Sequence, residues 1–117
     1  MNPTNYAVGH LAEQHAADYL ANQGYQIVTL NWKTPRCEID IICQKANVIY
    51  FVEVKYRKND SQGTGLDYIT PHKLRQMQFA AESWVHMKGW TGEYNLAALE
   101  LTGPNYVVSN YVTDLFV

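Results

Sequence analysis

The residues of this chain best suited to chemistry lie in two short segments, Glu38-Ile39-Asp40 and Glu53-Val54-Lys55. In an extended strand alternate side chains share a face, so Glu38 and Asp40 should point together, as should Glu53 and Lys55. Pairing the two strands would bring three carboxylates and an ammonium into one patch. Two like charges ~4 Å apart repel by roughly 4 kcal/mol at an effective dielectric of 20, so something must offset the repulsion. Mg²⁺ or Mn²⁺ does so, because a hard divalent ion prefers oxygen ligands and commonly takes one or two carboxylates while keeping waters and phosphate oxygens. Such an ion acidifies bound water and stabilises charge developing on a phosphate, while a nearby lysine positions or activates the nucleophile. The chemistry implied is phosphodiester hydrolysis. The competing reading of Asp40, Glu53 and Lys55 is a solvated ion-pair cluster at a sheet edge, worth little to stability.

Seven elements are expected to position these groups. From about Thr4 to Gln23 the apolar residues Val8, Leu11, Ala12, Ala16, Tyr19 and Leu20 recur with helical spacing, and Gly24 stands where a left-handed cap would end the helix. Glu13 falls at the border of that apolar face. Tyr25 to Asn31 reads as a strand, and Lys33-Thr34-Pro35 as the turn after it. Glu38 to Cys43 and Val48 to Val54 follow as an antiparallel pair around Gln44-Lys45-Ala46-Asn47. The run Val48-Ile49-Tyr50-Phe51-Val52 is almost continuously apolar, as suits a central strand that delivers its polar residues at one end. Asp60 to Gly65 reads as a mobile loop just beyond Lys55. Thr70-Pro71 has the form of an N-cap with proline at the first helical position, and Leu74, Met77, Ala81, Trp84 and Val85 supply a buried stripe up to Gly89. Tyr94 to Leu101 and Tyr106 to Val112 are two last strands around Thr102-Gly103-Pro104-Asn105. The fold class is α/β, in the order α-β-β-β-α-β-β.

A length of 117 residues suits one domain, 1–117, with one real core. No run of about 20 apolar residues is present, and Met1-Asn2-Pro3-Thr4 lacks the features of a targeting peptide, so a cytoplasmic location away from membranes is expected. A net charge of -2 argues against non-specific coating of nucleic acid, which draws its free energy from counterion release. The basic residues are nevertheless unevenly placed. Arg57 and Lys58 follow the acidic cluster, while Lys73 and Arg75 open the second helix. These four are the candidates for phosphate contacts, although a solvated helix face accounts for the last two equally well. Cys37 and Cys43 lack disulfide or zinc spacing and read as buried thiols on one strand face with Ile39 and Ile41. His10, His15, His72 and His86 show no ligand spacing, though His10 and His72 would lie near the acids if both helices flank them. Trp32, Trp84 and Trp90 are read chiefly as core, with Trp90 the most exposed.

Along most of its length the chain resembles the YraN-like family of bacterial proteins, whose fold is the restriction endonuclease-like fold of PD-(D/E)XK nucleases and Holliday-junction resolvases. Gly9, Glu13, Ala16 and Leu20 look like the family's first helix, and Gly24-Tyr25 and Asn31-Trp32 like its first strand. Glu38-Ile39-Asp40, Phe51-Val52-Glu53-Val54-Lys55 and Arg57 look like its signature. The resemblance implies a central mixed sheet flanked by helices, with Asp40 and Glu53 as metal ligands, Lys55 assisting the nucleophile and Glu13 adding a carboxylate. Glu38 becomes an alternative ligand or a neighbour of the ligands. It further implies an Mg²⁺-dependent endonuclease for branched, single-stranded or otherwise structured DNA. A non-catalytic nucleic-acid- or protein-binding module on the same fold is the alternative, and a homodimer is a third possibility for the active unit. Ala12, Cys37 and the segment Glu93-Tyr94-Asn95 depart from the pattern, where the family has glycine, glycine and Arg-Phe-Asp.

Overall fold

A computed structural model describes residues 5–59, 61, 63 and 65–115. The expected reading of Met1-Asn2-Pro3-Thr4 and much of the expected Asp60 to Gly65 loop therefore lie outside the described residues. Helix α1 spans Asn5–Asn22 and strand β1 spans Gln26–Lys33. Strands β2, Glu38–Lys45, and β3, Val48–Arg57, precede helix α2, Pro71–Lys88. Strands β4, Glu93–Thr102, and β5, Val107–Val112, complete the chain. This is the anticipated order, and the mixed sheet with two flanking helices matches the restriction endonuclease-like arrangement.

The sheet runs β1-β2-β3-β4-β5, with β3 and β4 parallel and every other pair antiparallel. Local chemistry explains the connections. The β2–β3 hairpin turns on Ala46 and Asn47, both at positive φ, as primed two-residue turns require. A parallel pair cannot be closed by a tight turn, so the chain crosses from β3 to β4 through α2. Thr70 caps α2 by accepting the Lys73 N–H at 3.1 Å, Pro71 opens it, and Gly89 ends it at φ 66°.

The helices cover opposite faces of the sheet. Ala12, Ala16, Ala17 and Leu20 of α1 pack with Ile41, Cys43, Val52, Ala97, Leu99 and Leu101. Met77, Ala80, Ala81 and Trp84 of α2 pack with Ile39, Ile42, Ile49, Phe51, Leu96 and Ala98. Both faces of β3 are thus buried, which accounts for its near-continuous apolar run. Trp90 is half-buried against the α2 side and donates its indole N–H to the Glu93 carbonyl at 3.0 Å. Among the described residues no helix is long and apolar enough to cross a membrane.

One expectation about β2 fails. Strict alternation would put Cys37, Ile39, Ile41 and Cys43 on one face, but Cys37 and Ile39 join the α2 side while Ile41 and Cys43 join the α1 side. Cys43 is buried and Cys37 only half-buried. The alternation breaks at Asp40. On β1 the residue between the paired Leu30 and Trp32 is Asn31, at φ 51°, a left-handed conformation that Asn tolerates better than most residues.

Candidate active site

The break at Asp40 coincides with a fork between the two hairpin strands. The β2–β3 register runs from Lys45↔Val48 to Ile41↔Val52 and goes no further. Beyond it a backbone donor of β3 is left without its ladder partner, and Asp40 supplies the replacement: its Oδ2 accepts the Val54 N–H at 2.8 Å. β3 meanwhile stays paired to β4 through Arg57↔Thr102, so Glu53 and Lys55 ride on a strand held firmly on its other side. The fork lets a carboxylate reach into the sheet from one strand beside a carboxylate on the next.

Burial and mutual repulsion dominate the electrostatics. Burial, then the charge of Glu53, pushes the Asp40 carboxyl up to about 8; the Val54 hydrogen bond and Lys73 act the other way, while Glu13 adds to the rise. Burial also raises Glu53, which Lys73 and Lys55 pull back down and Glu38 pushes further up. The Lys73 Nζ lies 3.1 Å from Glu53 Oε1. A lysine in the first turn opposes the helix dipole, and this ion pair compensates for that placement.

The structure brings together Asp40, Glu53, Lys55 and Lys73, with Glu13 and Glu38 as charges at either side. Glu13 lines a cleft with His10, Asn31, Lys33, Glu38 and Asp40 on the α1 side. Glu38 is exposed, and its Oε2 lies 4.0 Å from Lys33 Nζ. The expected meeting of three carboxylates is thus reduced. Among the described residues no three Asp, Glu, His or Cys side chains converge closely enough to hold a metal ion by themselves. A close pair of acids still suits Mg²⁺, which takes one or two carboxylates and keeps its waters. It does not suit zinc, whose structural sites need four nitrogen or sulfur donors.

Arg57 must be reassigned. Expected on a nucleic-acid rim, it is 2% exposed; its Nε donates to Glu100 Oε2 at 2.5 Å, and its Nη2 donates to Asp67 and to the Gly65 carbonyl. It anchors the chain returning from β3 to α2. Lys58 is exposed, and Arg75 is exposed and lines the cleft beside Glu53. Two residues that sequence reasoning left out complete the setting. Tyr68 lies under Lys55, whose Nζ is 5.9 Å from the ring centroid, and its hydroxyl is raised by burial. Glu100 holds Arg57 from the neighbouring strand. An acid in the otherwise apolar run Leu96 to Leu101 was the available signal for Glu100. His72 does line the Glu53 cleft and His10 the Asp40 cleft, on the two sides of the fork.

The comparisons with known proteins bear on the same segments. The model of the uncharacterised protein family UPF0102 matches residues 12–108, which contain every acid and lysine of the fork. The chain belongs to that family. A UPF0102 protein of Cytophaga hutchinsonii is 35% identical over 95 residues, 81% of this chain and 84% of its own length. One from Flavobacterium johnsoniae is 28% identical over 93% of both chains, and one from Vibrio campbellii 41% identical over 67% of this chain and 64% of its own. This UPF0102 membership is the YraN-like identity that the sequence motifs carried. The three departures from the family pattern fall outside the acid pair. Ala12 is buried against the sheet, Cys37 lies in the turn before β2, and Asn95 pairs with Tyr50, three register positions from Glu53↔Ala98.

Proposed function

We propose that this UPF0102 protein is a divalent-metal-dependent nuclease that hydrolyses phosphodiester bonds of structured or branched DNA in the cytoplasm. One observation carries the proposal: at the β2–β3 fork two half-buried carboxylates with raised pKa values, Asp40 and Glu53, stand together beside Lys55. Both carboxyls stay raised despite the Lys73 ion pair and the Val54 hydrogen bond, a cost that a fold retains where it serves a site. Asp40 and Glu53 are the residues that would hold Mg²⁺ or Mn²⁺. When bound, the ion lowers the pKa of its water and neutralises charge on the phosphate. Lys55 donates to the attacking water or to a non-bridging phosphate oxygen, and the Tyr68 ring beneath it limits where the ammonium can go. The Val54 N–H orients the Asp40 carboxylate, and Lys73 holds Glu53 in place between turnovers.

Incubation of the purified protein with labelled duplex, single-stranded and four-way-junction DNA in Mg²⁺ or Mn²⁺ tests the proposal. At least one substrate should be cut, and Asp40→Asn, Glu53→Gln and Lys55→Ala should each reduce cutting by at least about 100-fold. Absence of cleavage on every substrate, or full activity in Asp40→Asn, overturns it. The Glu53–Lys73 ion pair favours one rival, a non-catalytic nucleic-acid-binding module on the same fold, because it fills with an internal cation part of the space an ion would occupy. That rival predicts DNA binding indifferent to both metal and Asp40.

A further inference from the structure

Beside Glu53 lies a cleft of about 570 Å³ between the Lys33–Glu38 connection and the N-terminal half of α2. The chain is acidic overall, yet four of its nine Lys and Arg residues, Lys33, Arg36, Lys73 and Arg75, line this one cleft against only Glu38 and Glu53. Lys73 is committed to Glu53, and Lys33 faces Glu38. That leaves Arg36 and Arg75, and neither guanidinium pairs with a carboxylate among the described residues. Arg36 is not on a loose loop. Thr34 Oγ1 accepts the Arg36 and Cys37 N–H groups at 3.1 and 3.2 Å, and the Thr34 N–H donates to the Cys37 carbonyl at 2.9 Å.

An aromatic ring completes the set. Phe79 follows Arg75 by four residues, on the same side of α2, and lines the same cleft while 46% exposed. The buried stripe of α2 is already filled by Met77, Ala80, Ala81 and Trp84, so packing does not require a large apolar side chain at position 79. Two uncommitted guanidinium groups beside a half-exposed ring are what an unpaired nucleotide needs: cations for its phosphates and a flat apolar surface for its base. The volume lies within the range of about 300–1,000 Å³ common to small-ligand clefts, which admits a splayed nucleotide.

We propose that this cleft binds an unpaired segment of a nucleic-acid strand, with a base stacked on Phe79 and flanking phosphates on Arg36 and Arg75, and leads that strand to Glu53. The proposal rests on reading Asp40 and Glu53 as a phosphodiester-hydrolysing pair, but its test does not depend on cleavage. Fluorescence anisotropy in EDTA with a short labelled oligothymidylate, an oligouridylate of equal length and a matched duplex reads binding alone. Single strands should bind more tightly than the duplex, and the preferred one of the two shows whether the natural strand is DNA or RNA. Phe79→Ala should weaken that binding roughly 5- to 150-fold and Phe79→Trp restore it, with circular dichroism unchanged because the ring is half in water. Removing Arg36 and Arg75 together should make the salt dependence shallower by about 1.4 in logarithmic slope. Failure to bind either strand, duplex binding as tight as single-strand binding, or an indifferent Phe79→Ala overturns the inference. Cleavage with an indifferent Phe79→Ala removes this inference and leaves the hydrolytic reading standing. Phe79-dependent binding without any cleavage does the reverse.

Discussion

Replacing Asp40 by Asn should stabilise the metal-free protein, and should do so only above mildly acidic pH. The Asp40 carboxyl stands at about 8 in the folded chain against 3.8 ordinarily, driven first by burial and then by Glu53. Between those two values the folded chain holds a proton that the unfolded chain has released. Stability is therefore fully present below the lower value, falls as pH rises through the window, and flattens above the upper one. From 3.8 to pH 7 is about three units at about 1.4 kcal/mol each, so the wild type forfeits up to about 4 kcal/mol at neutral pH. Asn carries no charge, keeps an oxygen for the Val54 N–H, and does not titrate. Part of the penalty is shared with Glu53 and the Asn amide must find its own partner, so the expected gain is about 2–4 kcal/mol at pH 7 and under about 1 kcal/mol near pH 4. Urea melts of both proteins in EDTA at the two pH values measure it. An Asp40→Asn variant no more stable than wild type at pH 7 would refute the idea that a crowded, half-buried acid is being tolerated there.

Two further substitutions probe the supports of the site. Arg57→Met should destabilise the fold by about 3–5 kcal/mol in denaturant melts, because it leaves the buried Glu100 carboxylate without its partner; an effect under about 1 kcal/mol would show the pair to be dispensable. Thr70→Ala should cost about 1 kcal/mol through loss of the α2 cap, and hydrogen exchange should show faster opening at the first turn, where Lys73 reaches Glu53.

The whole order of elements could be read from the sequence because each is marked locally, by Gly24 and Gly89 at helix ends, Thr70-Pro71 at a helix start and Ala46-Asn47 in the hairpin. Glu53 and Lys55 share a face of β3 as alternation requires, since β3 keeps an unbroken parallel ladder with β4 from Val48 to Arg57. Glu38 and Asp40 were less legible. Alternation presumes an unbroken ladder, and whether the ladder continues past Ile41↔Val52 depends on how two strands diverge, which no local pattern records. Arg57 was misread for a similar reason. Its side chain is buried by Glu100, 43 positions away, and by Asp67 across a loop, so its position beside exposed basic residues said nothing of its partners. Phe79 stood outside the α2 stripe and became informative only once Arg36 was seen across the cleft.

Calorimetric titration of Mn²⁺ into the protein at pH 7, in buffers of different ionisation enthalpy, asks whether Asp40 and Glu53 form a divalent-metal site. One ion should bind per chain with close to one proton released, since an Asp40 carboxyl at about 8 is mostly protonated at that pH, and Asp40→Asn should lose the binding. No measurable Mn²⁺ binding, or binding undiminished by that substitution, would contradict such a site.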